Sequence, residues 1–454
     1  ESLKEFKNFR LLYNKKFYEF NDFESFIPLF LNKIFLKQNQ EFFNYLRSTK
    51  VSKIKKVLIK INNQLCRFGK KVNNKLIVGS YLTNQIYKMN NKEINIFQLK
   101  PYQDFKYYHV ILNLISICNF FKTKKIFYIF PVNDDYLTTK NMSQNLENFL
   151  DSFSDRNFNF FKKIITDPLI KYCEYQIKFQ DSISKLVDFI NPKNIFVDQL
   201  RWDVSTVLAS TCLYKKKDVI LVPHGSISIP SDTFSEFVLP ICARGLIFSK
   251  IANYTVAQSK ISYEAIKYYD PKIKILKSEP ILFGKNILNK SVSKQKEFKF
   301  LHASTPKSLS KWPWIYENYN EYVDNIIGLI NSLKFKGNIE LTIRFREGPE
   351  CSLETFKKLI KIDQNAFVKI SENKDFFDDL NHSDCLISFS STSIEEALFL
   401  NKKVLIYSDN RQYKHINYRF QADNDIIYAN QKDINDKLKM IFMINKKQNY
   451  DVLW

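Results

Sequence analysis

Short apolar runs alternate with longer amphipathic stretches over most of this chain. From residue 75 the pattern predicts a strand at Lys75–Val78 closed by Gly79-Ser80, a helix over Tyr81–Met89 and a strand over Ile94–Leu99. Residues 106–121 and 141–190 read as mostly helical. Within them the apolar stretch Val110–Phe121 reads as a buried helix, too short to span a bilayer. A denser unit follows: strand Asn194–Val197 closed by Asp198, helix Val204–Tyr214, and strand Val219–Val222 ending in Pro223-His224-Gly225-Ser226. Strand Tyr254–Ala257, helix Ser262–Tyr268 and a short strand at Lys274–Leu276 come next.

The polar, lysine-rich stretch Glu279–Glu297 breaks the pattern and predicts a linker. Alternation then resumes with strands at Lys299–His302, Glu340–Phe345, Val368–Ile370, Cys385–Phe389, Val404–Tyr407 and Ile426–Tyr428. Helices Tyr316–Leu333, Ser352–Ile362, Lys374–Leu380, Ser393–Leu400 and Ile434–Ile444 fall between or after them. Strands separated by helices of this length build parallel, doubly wound sheets, which take ligands at the carboxyl ends of their strands. The predicted organisation is a helical N-terminal extension (1–74), an α/β domain (75–280), a linker (281–297) and a second α/β domain (298–454).

Composition changes this picture little. Of 454 residues, 45% are apolar and 15% aromatic, enough for two packed cores and unlike a disordered chain. The formal charge of +22 comes almost wholly from lysine, in a sequence also rich in Asn, Ile and Phe. That bias reads either as a solvated lysine surface or as affinity for an anion: a sugar nucleotide, an acidic glycan or the inner face of a membrane. No RNP, KH, zinc-finger or basic-zipper signature occurs, so nucleic acid is not an expected partner. The seven cysteines are scattered, without metal-ligand spacing, and point to reduced thiols, a cytoplasmic setting and no bound metal. Neither GxGxxG nor a Walker A sequence is present, which argues against a dinucleotide cofactor.

The richest chemistry lies in Ser388-Phe389-Ser390-Ser391-Thr392-Ser393-Ile394-Glu395-Glu396. Here a strand runs through a hydroxyl cluster into a helix, whose free N–H groups attract phosphate. Ser390, Ser391, Thr392 and Ser393 would hold phosphate and Glu396 would accept hydrogen bonds from ribose. The structural alternative is a capping box of Ser393 and Glu396, which needs one hydroxyl and leaves the others without a role. At Pro223-His224-Gly225-Ser226, His224 ends a strand where it would act as acid, base or phosphate ligand. Arg344 and Arg346 share one face of a strand end in a chain with ten arginines. Guanidinium suits diphosphate, and the alternative is an ion pair with Glu347 or Glu350. His302 and Ser304 mark the first strand-to-loop turn of the second domain. Asp198, Asp203, Asp232 and Glu236 flank the His224 region as candidate bases, of which Asp198 and Asp232 are carried forward.

Taken together these residues resemble a known group. The run Asp203–Gly225, closing on His-Gly, resembles the end of the N-terminal domain in bacterial surface-polysaccharide glycosyltransferases. The run Asp384–Leu405, with SFSSTSIEEALFLNKKVLI, resembles their donor-domain signature. The hydroxyl cluster is also similar to motifs of sialyltransferases, Kdo transferases and glycerophosphate polymerases. The likeness spans about residues 195–410. It implies a GT-B fold, two Rossmann-like domains with a cleft between them, and a CMP- or UDP-linked sugar as donor substrate. It places Ser390, Ser391 and Thr392 on phosphate, Glu396 on ribose and His224 at the His-Gly position. Arg344-Phe345-Arg346 stands where many relatives have His-Pro, and the Asp-Asp-Gly base motif of sialyltransferases is missing.

The expected activity is metal-independent transfer of a sugar to a glycan or lipid-linked glycan of capsule, lipopolysaccharide or a similar polymer, with peripheral contact at the inner membrane face. A glycerophosphate transferase or sugar-nucleotide epimerase on the same fold remains open. So does a non-catalytic basic protein binding nucleic acid or membrane.

Overall fold

The computed structural model describes residues 8–13, 16–21, 53–66, 74–89, 94–100, 104–118, 124–131, 179–201, 203–227, 229–230, 233–281, 298–304, 306, 317–334, 338–348, 351–373, 375–389, 391–407 and 426–443. The described chain opens on an antiparallel pair, β1 (Asn8–Tyr13) and β2 (Lys16–Asn21), with Tyr13 opposite Lys16. In the extension read as helical, Asn8–Tyr13 and Lys16–Asn21 are strands instead. Both hexapeptides are rich in Phe and Tyr, which favour strands. The helix described in that region is α1 (Lys53–Leu65).

The elements belong to two compact units. The first comprises Glu1–Pro223, Arg244–Val256 and Lys272–Leu276; the second comprises His224–Ala243, Ala257–Pro271 and Lys277–Trp454.

In the first unit, β3 (Asn74–Val78), α2 (Ser80–Met89), β4 (Ile94–Leu99), α3 (Tyr108–Cys118) and β5 (Lys124–Ile129) are followed by α4 (179–190). Then come β6 (Asn194–Val197), α5 (Asp203–Tyr214), β7 (Asp218–Leu221), β8 (Tyr254–Ala257) and β9 (Lys274–Lys277); the helices α6 (Thr233–Ala243), between β7 and β8, and α7 (Lys260–Tyr269), between β8 and β9, belong to the second unit. The strands form one sheet in the order β5-β4-β3-β6-β7-β8-β9, with every pair from β5 to β8 parallel. Chain order reverses between β3 and β6. The core packs Leu76, Phe97, Phe127, Ile195 and Val219 against Ile183, Val187 and Leu208 of the helices.

Two of these elements fall where the pattern predicted none. The lysines that open β5 read as the charged flank of the preceding apolar stretch. Pro240 inside α6 is a residue that normally ends a helix. The Val110–Phe121 stretch does form a helix over Tyr108–Cys118, but it is not buried: Ile111, Leu112, Leu114 and Ile115 are exposed. Its buried positions are polar instead.

In the second unit, β10 (Phe298–His302), α8 (Tyr319–Leu333), β11 (Ile339–Ile343), α9 (Leu353–Leu359), β12 (Val368–Ile370) and α10 (Phe376–Asn381) precede β13 (Cys385–Ser388). The chain continues through α11 (Ser393–Phe399), β14 (Lys403–Tyr407), β15 (Ile426–Ala429) and α12 (Ile434–Met443). All strands pair in parallel, in the order β12-β11-β10-β13-β14-β15. Successive side chains of a strand point to opposite faces. Accordingly Phe300, Cys385, Ile387, Leu405 and Tyr407 join the core beneath α8, α9 and α12. Leu301, Leu386, Val404 and Ile406 join Leu380, Ile394 and Ala397 on the other face. A sheet covered on both faces explains why its strands read as continuous apolar runs. Each unit is therefore a doubly wound parallel α/β sheet, as the alternation of elements predicts.

Candidate functional site

In the second sheet, β10 and β13 are neighbours although α8, β11, α9, β12 and α10 lie between them in the chain, whereas a single helix links each to its next partner outward. Loops leaving their carboxyl ends turn to opposite faces, and such a switch point is where open α/β sheets hold ligands. The two segments that meet there are His302-Ala303-Ser304 and Ser388–Ser393.

Much of the hydroxyl cluster holds this junction together. The Ser388 hydroxyl donates to the Ala303 carbonyl at 2.7 Å, and the Phe389 N–H donates to Ser304 Oγ at 2.8 Å. Ser393 Oγ lies 3.4 Å from the same Ala303 carbonyl. Ser304, Ser388 and Ser393 are all buried. The capping box of Ser393 and Glu396, the alternative to an anion site, is not formed. Ser393 is already inside α11, and Thr392 precedes it in helical conformation without a side-chain cap. Ser391 Oγ accepts the Ser393 N–H at 3.3 Å instead. Ser391 and Thr392 remain half-buried at the surface of the junction, and Ser390 lies outside the described residues.

Two adjacent glutamates divide the work of the helix. Glu395 is fully buried and accepts three hydrogen bonds: from the Ser226 N–H at 2.5 Å, the Ser226 hydroxyl at 2.6 Å and the Ser259 hydroxyl at 2.8 Å. Burial raises its carboxyl above the ordinary value, while the Ser226 and Ser259 hydrogen bonds pull it back. Through Ser259, which caps α7 in a box with Ser262, Glu395 joins three separate stretches of the second unit. Gly225 completes the fit, since a β-carbon there would lie 2.6 Å from Thr392 Cγ2 and 3.1 Å from Glu395 Oε1. Sequence reasoning missed Glu395. The available signal was its place beside Ile394 on a short helix whose neighbouring turns pack on the sheet.

Glu396 points elsewhere. Its carboxyl is pushed up to about 8, first by burial and then by the charges of Glu395 and Asp375. No hydrogen bond to it is found among the described residues. A carboxyl in that state is largely protonated at neutral pH and both donates and accepts.

The remaining candidates are distributed. His302 is a buried histidine whose ring packs edge-on against Tyr322 with centroids 5.5 Å apart, and burial lowers its pKa to about 3. It is neutral and sits in the core. Arg344 lies just past β11, where its Nη1 donates to Asp379 Oδ2 at 2.6 Å and to the carbonyls of Asn373 and Asp375 at 3.0 and 3.2 Å. Arg344 thus forms an ion pair with Asp379; Glu350 lies outside the described residues. Glu347 accepts the Leu353 N–H. Arg346 is exposed. His224 is exposed two residues before the Ser226 anchor. In the first unit, Asp198 follows β6 and lies against Gly79, the residue after β3, at that sheet's own switch point. Gly79 has φ +109 and carries no β-carbon to collide with the Asp198 carboxylate. Asp232 lies outside the described residues. Among the described residues no group of His, Cys, Asp or Glu forms a metal-binding cluster, and no helix is long and apolar enough to cross a membrane.

The fold and site thus define a protein of two doubly wound α/β sheets, each with polar residues at its switch point. No family model matches the chain, and no curated protein matches it in sequence. Among solved structures it is similar to a putative UDP-N-acetylglucosamine 2-epimerase from Listeria monocytogenes. That match has 11% identity over 81% of this chain and 87% of the other, with a TM-score of 0.46. A UDP-GlcNAc 2-epimerase from Methanocaldococcus jannaschii aligns at 14% identity over 84% and 95% of the two chains, TM-score 0.45. MurG of Acinetobacter baumannii aligns at 9% identity over 83% and 91%, TM-score 0.43.

Proposed function

We propose that this protein is a glycosyltransferase of GT-B type, which binds the nucleotide of a sugar donor at the carboxyl edge of the second sheet and transfers the sugar to a cell-surface glycan. The observation that carries the reading is the state of Glu396. A half-buried carboxyl, raised to about 8 and without a hydrogen-bond partner among the described residues, stands one helical turn from Thr392 at a switch point. Ribose is the partner that satisfies it. The hydroxyls of Ser391 and Thr392 are suited to the phosphates as neutral donors. His224 is the preferred group for taking the acceptor proton, because the Glu395–Ser226 hydrogen bonds hold its loop in place. Arg346 is the available guanidinium for phosphate charge, Arg344 being engaged with Asp379.

The test is a panel of CMP, UDP, CDP and GDP in thermal-shift and calorimetric titrations, on the wild type and on Glu396→Ala. Stabilisation by one nucleotide, at least tenfold weaker in the variant, is expected; at 100 times Kd it amounts to about 2.7 kcal/mol. Indifference of the wild type to all four nucleotides refutes the proposal. Product analysis with the corresponding sugar nucleotide then separates transfer from epimerisation.

A further inference from the structure

Helix α3 is amphipathic in the reverse sense. Its inner face is polar. Asn113 Nδ2 donates to the Tyr128 carbonyl at 2.9 Å and to Asn62 Oδ1 at 2.8 Å, while the Tyr128 N–H donates to Asn113 Oδ1 at 2.9 Å. Ser116 donates to the Ile126 carbonyl at 2.9 Å. Helix α1 is fastened in the same way. Asn62 donates to the Tyr128 carbonyl at 2.9 Å, and Asn63 Nδ2 to the Phe130 carbonyl at 2.6 Å. These asparagines occupy the groups that β5 exposes as the edge strand of its sheet, which accounts for their burial.

The outer face of α3 is left apolar. Tyr108, Ile111, Leu112, Leu114 and Ile115 all face solvent, Ile111 at 58% and Ile115 at 55% exposure. No charged residue occurs between Tyr108 and Cys118. Along α1, Ile54, Val57 and Ile61 form a second exposed stripe at helical spacing. Among the described residues of 53–118 on and beside these helices, lysine is in excess. Lys55, Lys56 and Lys60 lie on α1 and Lys106 precedes α3, with Asp104 the one acid in the described parts of 53–118. Tyr107 and Tyr108 sit at one end of the apolar face, where amphipathic rings favour a water–lipid boundary.

We infer that α3, supported by α1, is a docking surface for an anionic lipid bilayer, lying in the plane of the interface. Apolar side chains with a basic border are what such a surface requires. A protein partner would also bury the apolar stripe, but it would not call for the excess of lysine beside it, four to one acid. The inference is independent of the transferase reading, and its test involves no nucleotide.

The test is flotation of the full chain with phosphatidylcholine vesicles, with and without 30% phosphatidylglycerol. The wild type, Ile111→Asp/Ile115→Asp and Lys60→Glu/Lys106→Glu are compared. The expected result is binding to the anionic vesicles that falls at least about tenfold in each variant and weakens with salt. An Ile115→Trp reporter should shift to the blue on adding the same vesicles. No binding by the wild type overturns the inference, as does equal binding by the Ile111/Ile115 variant. Two further results also overturn it. A wild-type dimer that the Ile111/Ile115 variant dissociates identifies a second copy as the occupant. A large loss of thermal stability in that variant without vesicles means that the chain itself covers the face.

Discussion

Replacing Glu396 by Gln tests the electrostatics of the candidate site without reference to any ligand. In the unfolded chain this carboxyl titrates near 4.5, and in the folded chain at about 8. Folding therefore favours the protonated form. The stabilisation from that proton is present in full below about pH 4.5, declines as pH rises, and is gone above about pH 8. The interval of roughly 3.5 units, at about 1.4 kcal/mol per unit, sets a ceiling on the order of 5 kcal/mol. Glu396 is not fully buried, so water relaxes part of this, and the expected effect is about 1–3 kcal/mol. Gln keeps the shape of the protonated acid and cannot ionise. Urea unfolding at pH 5, 7 and 9 should thus find the two proteins alike at pH 5 and the Gln variant progressively more stable above it. A stability difference constant from pH 5 to 9 would show that burial does not hold the proton, and the argument for a neutral acid facing ribose would fail.

Removing the other glutamate should act on folding directly. Glu395→Ala strands one buried N–H and two buried hydroxyls, and urea unfolding should show a loss of about 3–5 kcal/mol, with Glu395→Gln losing less. Gly225→Ala forces a β-carbon against Thr392. It should cost about 1–3 kcal/mol in the same assay and be partly rescued by Thr392→Ser, which removes the clashing methyl. Arg344→Ala leaves the buried Asp379 with Ser371 and Asn373 as partners but no cation. A fall of about 1–3 kcal/mol is expected, and a neutral result would reopen Arg344 as a phosphate ligand.

The sheets were legible because their strands are buried on both faces and their helices carry a strong 3.6-residue period. Elements were missed where a local rule misleads. Lysines open β5 because it is an edge strand, Pro240 is tolerated inside α6, and the aromatic-rich stretches 8–13 and 16–21 pair as antiparallel strands. The inverted α3 was read as buried because apolarity normally marks the inner face. Its asparagines, which satisfy the β5 edge, carry no pattern that reveals this. In the site, the location of the hydroxyl cluster at a strand-to-helix turn was legible. Long-range pairing was not: Glu395 with Ser226, or Arg344 with Asp379, joins residues far apart in the chain.

The pairing also changes what the hydroxyl cluster means. A helix cap needs one hydroxyl, so the surplus in Ser388–Ser393 argues from sequence for an anion. The structure finds a second use for that surplus. Ser388, Ser393 and Ser304 spend their hydrogen bonds joining the ends of β10 and β13, where parallel strands diverge and their last carbonyls and N–H groups lose sheet partners. Hydroxyls are suited to that task because each can donate and accept. A ligand at this edge would therefore meet not a bed of free serines but a short rim of Ser391, Thr392 and Glu396 on a rigid floor. Rigidity is itself useful there, since a carboxyl kept neutral by its surroundings holds its proton only while the wall that excludes water stays closed. The serine floor, the Glu395 anchor and the raised Glu396 are then parts of one device, and loosening either of the first two should lower the pKa of the third.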